Sequence, residues 1–153
     1  MLATPRGVVL RIALVAGRGY GSRPTASEAV LWALRRGERP RLFDDQYRSP
    51  IDPESVAALI EAVLRRQATG LFHAGGPERL SRYSLGCRLA DRFGLPASAI
   101  ERASRSVQTG AARPADASLS SEKARRELEW QPRALDDVLA ESREPESATS
   151  REA

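Results

Sequence analysis

The spacing of apolar positions changes repeatedly along the chain. Val8 to Val15 is an almost unbroken apolar run, interrupted only by Arg11. That is the pattern of a central strand covered on both faces of a parallel sheet. Ala29, Val30, Leu31, Trp32 and Leu34 then fall at helical spacing within Ser27 to Arg36, and Gly37 stops that helix. Arg41 to Phe43 reads as a short strand closed by Asp44, Asp45 and the turn-rich Gln46–Pro50 stretch. Asp52 and Pro53 open a strong helix, the aspartate as cap and the proline at the first helical position. Val56, Ala57, Leu59, Ile60, Val63 and Leu64 form its stripe as far as about Gln67. Gly70 to Gly76 is a second buried strand ending in a glycine turn, and Ser81 caps a helix that runs to Phe93 before Gly94 and Pro96.

This order of strand, helix, strand, helix, strand, helix argues for an α/β unit with parallel strands. Ala97 to Ala117 has weak periodicity and reads as loop with a short strand near Ile100. Ser120 to Leu128 is a short helix, Trp130-Gln131-Pro132 a turn, and Ala134 to Glu141 a last helical turn or two. The chain thus has two parts: residues 1–141 as the folded region, and residues 142–153 as a polar, disordered tail without apolar anchors.

Composition narrows the class. A chain of 153 residues with 41% hydrophobic residues has the length of one compact domain and can bury a core without disulfides or metals. No apolar run approaches the roughly 20 residues of a membrane span. The start MLATPRGVVLRIALVAG carries a charge inside its apolar stretch and no cleavable polar region after it, so the expected compartment is the cytoplasm. The net charge of +4 is spread along the chain and interleaved with acids. With three Phe and three Tyr and no basic-aromatic repeat, this argues against a nucleic-acid partner. Cys87 is the sole cysteine, which excludes an internal disulfide and reads as a buried, inert thiol. His73 reads as a packed strand histidine with no carboxylate or metal partner in view, and Trp32 and Trp130 as packing residues.

The most suggestive local chemistry is Gly17-x-Gly19-x-Gly21, which comes after the first strand and before a helix. A dinucleotide fingerprint needs a third glycine three positions after the second, already inside the helix, but Ser22 stands there. Arg23-Pro24-Thr25 further separates the glycines from the helix whose N–H groups would hold a pyrophosphate. The alternative is a strand-to-helix turn that needs glycine backbones.

Five stretches succeed one another: VVLRIALVAGRGYG, LFDDQYRSPI, GLFHAGGPERLSRYSLGCRLADRFGL, ARPADASLSSEKARRELEWQP and ALDDVL. In order and spacing they resemble the C-terminal half of dTDP-4-dehydrorhamnose reductase-like proteins, the sugar-nucleotide branch of the extended short-chain dehydrogenases. The resemblance covers about Gly7 to Leu139. It implies the C-terminal part of a Rossmann-like α/β fold with its substrate-binding lobe, the N-terminal cofactor-binding half lying upstream of Met1. It also implies that Gly17, Gly19 and Gly21 open a substrate-side loop; Ala16 stands where the family often has tyrosine. By the same resemblance Asp45-Gln46-Tyr47-Arg48-Ser49-Pro50 lies beside a nucleotide-sugar, and Arg113 of Arg113-Pro114 reaches its diphosphate. A guanidinium fork suits that role. The substrate-binding candidates are therefore Gln46, Arg48 and Arg113.

In the family a tyrosine protonates the substrate carbonyl as hydride arrives from NADPH or NADH, and a lysine four residues on lowers its pKa. Here Pro24, Ile51 and Cys87 stand four residues after Tyr20, Tyr47 and Tyr83. The expectation is a chain with no catalytic residues or bound cofactor of its own, inactive alone, that binds a dTDP-sugar. It would associate with an N-terminal cofactor-domain half or with itself. The superfamily also includes regulatory subunits, such as that of methionine adenosyltransferase, so a non-catalytic partner-binding module is the alternative. A small NAD-binding domain built on Gly17, Gly19 and Gly21 is the third reading. Glu129 stands where the related Leu-Gly-Trp pattern has glycine, a departure expected to cost a helix cap.

Overall fold

The computed structural model describes residues 6–17, 24–107 and 114–141. They form an α/β structure that divides into two compact units. The first comprises residues 6–15, 48–79 and 117–138; the second takes the remaining described residues.

In the first unit β1 (Val8–Ile12) pairs in parallel with β4 (Gly70–Ala74), with Leu10 opposite Phe72 and Ile12 opposite Ala74. The crossover between them carries α2 (Pro53–Arg65). Its start is built as the sequence implies: the Asp52 carboxylate accepts from Ser55 N at 2.9 Å, and Pro53 occupies the first turn, where a missing N–H costs nothing. Leu59 and Val63 of α2 meet Phe72 and Ala74, together with Ala124, Leu128 and Trp130, in one cluster. Ala124 and Leu128 belong to α4 (Glu122–Leu128). Trp130 completes this core and donates its indole N–H to Ser55 O at 3.0 Å. Glu129 sits at φ +50°, the left-handed conformation that a glycine would adopt without strain.

One expectation is overturned here. β1 is not a central strand buried on both faces: it ends at Ile12, and Val8, Val9 and Ile12 are 37%, 39% and 45% exposed. Among the described residues β1 has β4 as its one strand neighbour, and no element covers the face that carries Val9. Val15 contributes only an isolated bridge to Ile51.

The second unit contains α1 (Ala26–Arg35), β2 (Arg41–Phe43) and α3 (Arg82–Arg92), with β6 (Glu101–Ala103) parallel to β2. The strand anticipated near Ile100 is β6. Val30, Leu34, Ala90 and Ile100 form the core of this unit, flanked by Leu42, Tyr83 and Cys87. Gly86 lets α3 approach β2, since a Cβ there would collide with the Leu42 side chain. Cys87 is half-buried, not buried. A further pairing, invisible to periodicity because each strand has two residues, joins β3 (Tyr47–Arg48) to β5 (Leu80–Ser81). The last helix, α5 (Leu135–Glu141), ends in the second unit, where the Arg92 guanidinium donates to the carbonyls of Leu139 and Ala140. Among the described residues no helix is long and apolar enough to cross a membrane. The predicted tail, residues 142–153, lies outside the described residues.

Candidate functional site

The loop that leaves β2 ties distant parts of the second unit together. Asp44 N donates to Ala103 O at 3.0 Å, extending the β2–β6 ladder by one residue. The Asp45 carboxylate accepts from Ser104 Oγ at 2.7 Å and from Arg105 N at 2.9 and 3.0 Å. The Ser104 hydroxyl does most to hold the Asp45 carboxyl below the usual aspartate range; desolvation opposes it, and the Arg105 amide and charge add to it. Gln46 O accepts from Arg82 N at 3.0 Å, satisfying one of the free donors at the start of α3. Tyr47 N donates to Ala115 O at 2.7 Å, and Tyr47 and Asp116 form a parallel bridge. Four consecutive residues thus hold segments that are far away in sequence.

Gln46 is 4% exposed, and its Nε2 has no hydrogen-bond partner among the described residues. A buried amide with an unused donor is costly, by about 1–3 kcal/mol, and such groups occur where a ligand or water supplies the missing acceptor. Arg113 itself lies outside the described residues, but Pro114, Ala115 and Asp116 come directly after it. The structure therefore brings Tyr47, the neighbour of Gln46 in the chain, to the segment continuing from Arg113. Arg48, half-buried at the end of β3, falls in the other unit and is not part of this cluster.

Asp45, Arg82, Ser104 and Arg105 were not singled out by sequence reasoning. Nothing local marks Asp45 as an acceptor for Ser104 and Arg105, because the contact is wholly tertiary.

Of the three glycines, only Gly17 is described; Gly19 and Gly21 lie outside the described residues. The start of α1 carries a capping box. Thr25 caps α1 by accepting from Glu28 N at 3.2 Å, Glu28 accepts in return from Thr25 N at 2.9 Å, and Thr25 Oγ1 donates to Gly17 O at 2.9 Å. The helix start is filled by the chain's own buried carboxylate, and a pyrophosphate there would meet like charge.

The first unit has an open polar cleft of about 340 Å³ at the end of β4, lined by Ser49, Gly75, Gly76, Arg79, Ser121 and Arg125 among others. Two of its hydroxyls are already committed. Ser121 Oγ both accepts from Gly75 N and donates to Gly75 O at 2.8 Å, and Ser49 Oγ accepts from Leu119 N at 2.9 Å. A Cβ on Gly75 or Gly76 would collide with the carbonyl of Leu119 or of Pro50, so this glycine pair serves close backbone packing. His73 is partly buried on β4, with Nε2 unpartnered among the described residues. No group of three or more His, Cys, Asp or Glu among those residues could hold a metal ion.

The RmlD substrate binding domain family matches residues 2–146. Methionine adenosyltransferase 2 subunit beta of Rattus norvegicus is 31% identical over 121 residues, covering 75% of this chain and 36% of the relative. Among solved structures, a hypothetical dTDP-4-dehydrorhamnose reductase from Sulfolobus tokodaii has a TM-score of 0.68 at 27% identity, covering 80% of this chain and 42% of that one. A dTDP-4-dehydrorhamnose reductase from Bacillus anthracis str. Ames, in complex with NADP, has a TM-score of 0.73 at 16% identity, covering 87% and 45%. The latter speaks to fold alone. The chain spans about a third of the length of the curated relatives it matches, and its fold is that of part of a Rossmann-like extended short-chain dehydrogenase.

Proposed function

Because this chain belongs to the RmlD substrate binding domain family, we propose that it supplies the nucleotide-sugar side of a dTDP-4-dehydrorhamnose reductase-like oxidoreductase. NADPH or NADH and the tyrosine–lysine pair are then contributed by another segment or chain. The observation that carries this reading is the junction of the Asp44–Tyr47 loop with Ala115 and Asp116. It joins two of the motif stretches that lie far apart in sequence, and Gln46, next to Tyr47 in the chain, is buried with an amide donor unpartnered among the described residues. Arg113 pairs with the diphosphate of a dTDP-sugar through its planar fork, and Gln46 donates to the ligand. The chain alone transfers no hydride.

Calorimetric titration of the chain with a dTDP-sugar tests this. Saturable binding is expected, weakened roughly tenfold or more by Arg113→Ala, as for loss of a charged hydrogen bond. No heat at millimolar ligand overturns it.

A second reading is favoured by a different observation. β1 exposes Val8, Val9 and Ile12, and relatives at 31% identity are subunits beta of methionine adenosyltransferase 2. A non-catalytic module that works by binding a partner accounts for both. Absence of dTDP-sugar binding, combined with stable association with a second polypeptide, selects this reading.

A further inference from the structure

The two faces of the β1–β4 ladder differ in cover and in charge. Leu10, Phe72 and Ala74 lie on the side packed by α2 and α4. Strand alternation puts Val9 and Arg11 of β1, with their register partners Leu71 and His73 of β4, on the opposite side. Val9 and Leu71 are both exposed to more than a third there. Arg11 is the one charge that interrupts the apolar run of β1. It is exposed, and its guanidinium makes no hydrogen bond or ion pair with another described residue. His73 Nε2, on the neighbouring strand, has no partner among the described residues either.

Parallel sheets are covered by helices on both faces, and the crossover through α2 supplies a cover for one face only. A purely apolar cover on the Val9 side would bury the Arg11 guanidinium without a counter-charge, which is strongly unfavourable. A carboxylate in that cover removes the penalty and makes a charge-assisted pair with the guanidinium fork. The strand sets the spacing: Arg11 lies about 6.6 Å beyond Val9, close to the rise of one helical turn, about 5.4 Å. We propose that this face is the docking site of an amphipathic helix from a partner polypeptide. The helix meets Val9 and Leu71 with its apolar side and pairs a carboxylate, one turn along, with Arg11. This rests on the reading that another segment or chain completes the protein. A second copy of this chain does not suit the face, because two such faces packed together would bury two guanidiniums and, among these four residues of each copy, no carboxylate.

Two synthetic helical peptides, each roughly five turns long, probe the face of the full chain. Both carry a leucine stripe and differ at one central position, glutamate in one and lysine in the other. Affinity is measured by calorimetry and the site is mapped by amide chemical shifts. The glutamate peptide is expected to bind saturably and to shift the amides of Val9, Arg11, Leu71 and His73; the lysine peptide should bind at least roughly tenfold more weakly. Arg11→Glu should invert this preference, an outcome that a merely structural role for Arg11 would not produce. Arg11→Gln, which removes the charge and keeps a polar side chain, should abolish the preference and provides the test if Arg11→Glu fails to fold. Equal affinity for the two peptides, shifts that map elsewhere, no binding of either peptide, or a native chain that dimerises through this face overturns the proposal. The dTDP-sugar titration does not involve this face, so the nucleotide-sugar reading and the helix site can fail separately.

Discussion

β1 and β4 lie side by side in the same parallel ladder with opposite fates. β1 reads VVLRI and is the more apolar of the two; β4 reads GLFHA and contains a glycine and a histidine. Yet Phe72 and Ala74 of β4 are buried and only its Leu71 is exposed to more than a third, while Val8, Val9 and Ile12 of β1 all are. What separates them is the cover. α2 and α4 both pack on the Phe72 side of the sheet, and β4 takes the larger share of that protection. A two-stranded parallel sheet with an uncovered face is unusual, because such sheets are normally buried on both sides. The hydrophobicity of a strand therefore reports the burial it is suited to, and not the burial it has in a given chain.

The comparison is broken most severely by Phe72→Ala, which empties the cluster beneath β4. A loss of about 3–5 kcal/mol is expected in denaturant unfolding. Asp52→Ala removes the cap of the covering helix α2 and is expected to cost about 1–2 kcal/mol at neutral pH. Burial pulls the Asp52 carboxyl up, but Ser55, whose amide donates to it, outweighs this and holds it below the ordinary value. A depressed native pKa means that the contribution is complete above the unfolded aspartate value of about 3.9 and is lost as pH falls through the lower native one. The stability difference between Asp52→Ala and the native chain should therefore shrink in acid; a difference that grows below pH 4 would contradict the assignment.

Glu129→Gly acts on the other cover, α4, by relieving the left-handed backbone at its C-cap. A gain of about 0.5–1 kcal/mol is expected, reduced by loss of the exposed Arg66–Glu129 ion pair at 2.6 Å, itself worth little. The smallest effect belongs to β1. Val9→Thr should leave unfolding within about 0.5 kcal/mol of the native chain, while weakening association with a cofactor-binding half in a pull-down. A large destabilisation would mean that the β1 face is covered after all.

Much of the fold could be read from local chemistry. Asp52-Pro53, Ser81 and Gly37 mark helix ends because caps and stops depend on a few neighbouring side chains, and observed boundaries differ from expectation by a residue or two. The candidate site was legible only in part. Gln46 was named from its motif, but its burial and unpaired amide result from packing. Asp45 passed as a turn residue, because its partners Ser104 and Arg105 are far away along the chain. The pairings of β3 with β5 and of Tyr47 with Asp116 are too short to leave a period in the sequence.

By itself the sequence determined the alternation of helices and strands, the caps that bound them, and the absence of a Tyr-x-x-x-Lys pair from these 153 residues. These depend on residue identity over a turn or two of chain. Only the tertiary structure decided that β1 is an exposed edge and that one four-residue loop gathers Arg82, Arg105 and Ala115. Each of these depends on which surfaces meet after the chain has folded, and no local pattern carries that information.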